Sequence, residues 1–182
     1  MPARISPGCA PPAPPSSPQP KPTPARVARY TVSRVLPYTP DQLFQLVGDV
    51  ERYPEFIPWV TYMDAGAPRA EGEGVTVLDA EAGVGFKFLR ERFATRVRRD
   101  AGACAIDVSL LRGPFRKLVN QWRFLPDPAG TRIEFLIEFE FKIGLLDAIL
   151  RANFDRAVAR LIACFEGRAA VLYGPGVNAG PC

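Results

Sequence analysis

The spacing of apolar residues changes period several times along this chain, and each change marks an element. Residues 29–36 alternate apolar and polar and stop at Pro37, which predicts a strand. Thr39 then stands as an N-cap with Pro40 at the first helical position, and Leu43, Phe44, Leu46 and Val47 give the following helix its apolar face. Residues 53–58 form a second helical turn bounded by prolines, too short to hold by itself. From Trp59 the period switches to two, and strands are predicted at 59–65, 74–81, 85–98, 103–111, 115–125 and 131–142. Turn residues separate them at 65–66, Gly83, 100–102, 113–114 and 126–130, and links this short join antiparallel neighbours. The last element, 145–173, is a helix that ends at Gly174-Pro175-Gly176. Its apolar stripe runs through Leu146, Leu150, Phe154, Val158, Leu161 and Phe165, with Arg151, Arg156, Arg160 and Arg168 off it.

Elements in this order make a segregated α+β fold, with a seven-stranded antiparallel sheet curved around one long helix. The sheet is wide enough to leave space beneath the helix. In the last strand Ile133, Phe135, Ile137, Phe139 and Phe141 share a face, and Arg132, Glu134, Glu138 and Glu140 take the other. In the strand before it Leu118, Asn120, Trp122 and Phe124 point one way, and Lys117, Gln121 and Arg123 the other.

The chain has 182 residues, enough for one domain and its tails. Residues 1–28 carry ten of the twenty prolines and no acid, so they are read as a disordered leader, 29–174 as the folded domain and 175–182 as a flexible tail. No continuous apolar segment suits a signal peptide, and no run approaches the roughly 18 apolar residues of a membrane span, so membrane contact would be peripheral. Histidine is absent altogether, which removes the usual general base and the Ser-His and Cys-His nucleophile systems. The four cysteines are scattered without a C-x-x-C, so neither a metal site nor a disulfide framework is indicated, and Cys104 and Cys164 are expected to be small buried hydrophobes. Charge is polarised along the chain. Residues 41–81 hold nine acids against Arg52 and Arg69, whereas 86–123 hold ten Lys or Arg against Glu91, Asp100 and Asp107.

Five segments, in order, carry a family resemblance: 46–59 (LVGDVERYPEFIPW), 84–97 (VGFKFLRERFATRV), 113–124 (GPFRKLVNQWRF), 139–141 with 145–146, and 165–169. The chain resembles the polyketide cyclase/StAR-related lipid-transfer (START) superfamily, with its helix-grip, Bet v 1-like fold, over about 29–174. Within it, the chain is similar to the coenzyme Q-binding and ribosome-association toxin A branch. Phe88 and Val119 depart from the family pattern, which has a small residue at the first position and an acid at the second. The resemblance implies a ligand-binding domain that holds ubiquinone or a related hydrophobic lipid without any covalent cofactor or catalysis, in support of respiration or quinone biosynthesis. It implies a cytoplasmic or mitochondrial protein, peripheral to the respiratory membrane. A second implication is binding of the large ribosomal subunit that blocks subunit association, as in a toxin–antitoxin system. Neither involves DNA. An aromatase/cyclase of the same fold is the weaker third reading, because without histidine it would need Glu91 or a tyrosine as acid and base.

Each candidate site has a plainer alternative. Tyr53, Phe56 and Trp59 either form the mouth of a cavity or plug the core beneath the first helix. Glu91, Phe93, Leu118, Asn120 and Trp122 share the inward faces of their strands. There Glu91 and Asn120 either meet a ligand or find protein partners. Leu150, Phe154, Val158 and Leu161 are either a cavity wall or ordinary core. Arg90, Arg92, Arg96 and Arg98 either dock phosphates or pair with acids across a solvated sheet face, and the nearby Glu134, Glu138 and Glu140 favour pairing.

Overall fold

The computed structural model describes residues 27–86 and 89–174, without the side chains of 86, 89 and 144–154. The leader before residue 27, Phe88, the side chains of Leu150 and Phe154, and the tail 175–182 lie outside the described residues. The elements are β1 (Ala28–Leu36), α1 (Pro40–Gly48), a 3-10 turn (Val50–Arg52), α2 (Tyr53–Phe56), β2 (Val60–Ala65), β3 (Arg69–Gly72), β4 (Val75–Phe86), β5 (Leu89–Asp100), β6 (Ala105–Arg112), β7 (Phe115–Asp127), β8 (Gly130–Phe141) and α3 (Gly144–Tyr173). The strands form one antiparallel sheet in the order β1-β8-β7-β6-β5-β4-β2, with β3 also paired on β4.

The first helix starts as its residues dictate. The Thr39 hydroxyl accepts from the Gln42 amide at 3.2 Å, while the Gln42 side chain accepts from the Thr39 amide at 2.9 Å, a reciprocal capping box. Leu43, Phe44, Leu46 and Val47 are all buried against the sheet. At the far end of the chain α3 lays Val158, Ile162, Phe165 and Ala169 into the core, at spacings that keep them on one helical face.

Three expectations need correction. β3 adds an eighth strand, and because all four of its residues are exposed it carries no alternation to read. Gly83 is not a turn: β4 runs through it to Phe86, pairing Gly83 with both Tyr62 and Arg92, and β5 begins at Leu89. Cys104 is not a buried strand residue. It lies half-buried with φ 43° in the turn before β6, and Cys164 is half-buried too.

Among the register shifts at one end of the sheet are bulges on β6 and β7. Leu111 on β6 falls between pairs Ala94–Arg112 and Thr95–Leu110, and Arg116 on β7 falls between Phe115–Phe141 and Lys117–Glu140. The second bulge lets Phe115 and Leu118, three residues apart, both face inward. Between the bulged strands Gly113 has φ 146°, and a Cβ there would stand 2.4 Å from the Phe93 Cβ. Gly113→Ala should therefore lower stability by more than about 1 kcal/mol in urea denaturation. Gly167→Ala, in an exposed part of α3 with nothing within 4 Å of the added methyl, should raise it by about 0.5–1 kcal/mol. Equal midpoints for the two variants would contradict the hairpin geometry.

Candidate functional site

The inner face of the sheet holds two apolar clusters. In the larger one, Trp122, Phe124, Phe135, Ile106 and Val97 pack against Leu43 and Phe44 of α1 and against Val158, Ile162 and Phe165 of α3. The Trp122 ring lies 4.3 Å from Phe135 and 5.3 Å from Phe165, centroid to centroid, so it is the point where helix and sheet meet. The smaller cluster, toward the bulged end, is Phe115, Leu118, Phe139 and Phe141, with Phe93 and Leu110 against it.

Asn120 occupies the inner-face position between them on β7, flanked by Leu118 and Trp122 along the strand and paired with Val108 and Ile137 across it. Its Oδ1 is buried with no hydrogen-bond partner. An amide carbonyl in that state costs about 1–3 kcal/mol, which a partner would recover. Thr95, on β5 two strands away, is buried on the same face, and Glu91, half-buried, keeps the inward parity of Val97, Thr95 and Phe93.

Tyr53, Phe56 and Trp59 are drawn together against α3. Phe165 stands edge-on to Tyr53 at 5.4 Å and to Phe56 at 5.3 Å. The Tyr53 hydroxyl donates to the Val47 carbonyl at 2.6 Å, and burial, reinforced by the nearby Asp49 carboxylate, pushes its phenol far above the usual range. Arg168 pairs with Glu55 at 2.7 Å and lies 5.5 Å over Phe56, while Arg160 lies 5.8 Å over Trp59. The segment is thus pinned to the C-terminal half of α3. Val158 is buried there, and Leu161 is half-buried beside it.

The outer face is a lattice of ion pairs. Arg96 makes two bonds to Asp79, Arg98 bridges Glu71 and Asp100, Arg92 reaches Glu81 at 3.8 Å, and Arg112 binds the same Glu81. Lys117 and Arg29 share Glu138, and Arg123 pairs with Asp107 at 2.9 Å. Three of the four docking candidates are therefore engaged with acids, and Arg90 is exposed. Two open grooves of about 350 and 300 Å³ cross this face and meet at Gln121 and Arg123.

Arg99 is a functional-looking group that charge counting misplaces. It belongs to the basic strands by sequence but turns inward beneath α1, donating to Gln45 Oε1 at 2.8 Å and lying 5.3 Å over Phe44. Its Nε is buried without a partner and would stand 2.5 Å from a Cβ on Gly48. Strict alternation from Arg98 would have located it. Among the described residues no group of three Cys, Asp or Glu side chains could hold a metal, and the chain has no histidine. What the inner face offers is apolar surface with isolated polar atoms, the makings of a non-covalent binding site.

A long helix packed across a curved antiparallel sheet is the helix-grip architecture of START and Bet v 1-like domains. The chain belongs to the family described as polyketide cyclase / dehydrase and lipid transport, which matches residues 36–166. It is 34% identical over 140 residues to the ribosome association toxin RatA of Rickettsia prowazekii, covering 75% of this chain and 92% of that protein. It is 30% identical over 153 residues to the mitochondrial coenzyme Q-binding protein COQ10 homolog B of Xenopus laevis, covering 80% of this chain but 59% of that protein. Among solved structures, an 18 kDa protein from Caulobacter crescentus is 62% identical with a TM-score of 0.70, across 81% of this chain and 99% of that one. An aromatase/cyclase from Streptomyces shares the fold at 18% identity and a TM-score of 0.64, across 84% of this chain and 99% of that one.

The ion lattice sets an acid limit. Asp79 is held below its ordinary value by the Arg96 hydrogen bonds, Asp100 by the Ala103 amide and then Arg98, and Glu138 by Lys117. Folded values below unfolded ones mean that this stabilisation is complete above the ordinary carboxylate range and is lost as pH falls through the lowered values. Melting temperature should hold from neutral pH to about 5 and drop below about 4, with a shallower drop in Asp79→Asn. A variant with the same acid profile as the parent would rule out the Arg96–Asp79 contribution.

Proposed function

We propose that this chain binds a hydrophobic small molecule of the isoprenoid-quinone type, non-covalently, between the inner face of its sheet and α3, and carries it without converting it. The observation that carries this reading is Asn120: a buried, unpartnered carbonyl oxygen on an apolar face between two aromatic-rich clusters. Such a position suits a ligand with one polar head and a long apolar body. The family's description includes lipid transport, and a relative is named for coenzyme Q binding, which together favour a quinone over other lipids. Burying about 400 Å2 of isoprenoid tail would contribute roughly 10 kcal/mol before the costs of association. With no histidine to move protons, the polar atoms of the inner face are suited to orienting a head group rather than activating it. Among the described residues no helix is long and apolar enough to cross a membrane, so exchange with a respiratory bilayer would be peripheral.

A second reading follows from the relatives named as ribosome association toxins, one of which is matched over 92% of its length. In it the outer face docks on the large ribosomal subunit. Arg96 and Arg98 are poor probes of this, because reversing them would set like charges against Asp79, Glu71 and Asp100. The exposed Arg90 is a cleaner one.

Organic extraction of the natively purified protein followed by mass spectrometry should recover a quinone in near-stoichiometric amount. Repeated recovery of none, together with no binding in titration, would overturn the carrier reading. Under the ribosomal reading the protein co-sediments with the large subunit and Arg90→Glu weakens this several-fold, whereas the carrier reading alone expects no co-sedimentation.

A further inference from the structure

Among the described residues two buried polar atoms lack a partner, Arg99 Nε beneath α1 and Asn120 Oδ1 between the apolar clusters, and the second, an acceptor, has a consequence for the redox state of the ligand. We propose that Asn120 makes the site selective for a head group that donates a hydrogen bond, so that a hydroquinone is held in preference to the corresponding quinone. This rests on the carrier reading and names the form of ligand which that site prefers.

Both quinone oxygens are carbonyls and can only accept. With the Asn120 amide oriented as it is, a quinone placed beside it leaves Oδ1 buried and unpaired. A hydroquinone hydroxyl donates to Oδ1 and removes the deficit. Among the described residues the adjacent inner-face positions supply no side-chain donor to Asn120: along β7 they are Leu118 and Trp122, and across the sheet Val108 and Ile137. The Trp122 indole is committed to packing between Phe135 and Phe165. Arg99 lies beneath α1, where it donates to Gln45 and stacks over Phe44, with its Nε unpartnered. A net hydrogen bond together with relief of an unsatisfied carbonyl corresponds to about tenfold in affinity.

Selective binding of the reduced form raises the midpoint potential of the bound couple. For a two-electron, two-proton couple, tenfold tighter hydroquinone binding is a shift of about +30 mV. The protein would then act as a reservoir that stabilises the reduced carrier, with no electron transfer of its own.

The experiment titrates the full chain, under anaerobic conditions, with decylubiquinol and with decylubiquinone, and measures the midpoint potential of the bound couple by voltammetry. The parent chain should bind the quinol about tenfold more tightly, with a correspondingly raised potential. Asn120→Leu should bring the two affinities to within about twofold of each other, and should itself melt at a higher temperature when ligand-free, because an unsatisfied polar group has been removed. Equal affinities in the parent, a preference for the quinone, or a quinol preference that survives in Asn120→Leu would each overturn the selectivity while leaving the carrier reading intact. If the parent binds neither form, both fall.

Discussion

The contact between Trp122 and Phe165 holds the rest of the structure in place. A curved sheet with one apolar face and a helix with one apolar stripe must cover each other, and here they meet ring to ring at 5.3 Å. Around that contact Phe135 supports the indole from the next strand, and Tyr53 and Phe56 close on the other side of Phe165. The cluster fixes the C-terminal half of α3 against one end of the sheet. A smaller cluster around Phe115 and Phe139 lies toward the bulged end.

Alternation along the strands gives the sheet two chemically distinct sides. Arg96, Arg98 and Arg123 satisfy Asp79, Glu71 and Asp107 outside, while Val97, Ile106 and Trp122 form the core inside. The outer pairs are exposed and contribute little each. Their main effect is to consume most of the positive charge that made the central strands look like a polyanion-binding surface. The proposed ligand surface and the outer ion-pair lattice thus occupy opposite faces of β7. Asn120 and Gln121 are neighbours in sequence and belong to different surfaces.

Much of this was legible in the sequence wherever a local rule has one outcome. Thr39 and Pro40 could hardly do other than start a helix, and the unbroken alternation from Leu118 to Phe124 fixed which residues face inward. The failures have physical causes as well. β3 is exposed on every residue, so nothing in its pattern separates it from loop. Gly83 reads as a turn because glycine usually weakens strands, but it lies in β4 under Tyr62, whose Cβ would be 3.1 Å from an added methyl. Bulges at Leu111 and Arg116 depend on pairing with distant strands and leave no local mark. Arg99 is charged, yet it shares the parity of Val97 and so points inward beneath α1. The inward position of Asn120 followed from alternation, but its lack of a partner could not, since that depends on every other strand and on the helix.

The central claim is that the inner face at Asn120 is the binding surface, and adjacent side-chain amides on opposite faces of β7 test it directly. In a nitrogen–proton correlation spectrum of the labelled chain, titration with a short-chain ubiquinol should shift the Asn120 side-chain amide signals and leave those of Gln121 in place. Shifts confined to Gln121, with Asn120 unmoved, would put the ligand on the outer face and contradict the account.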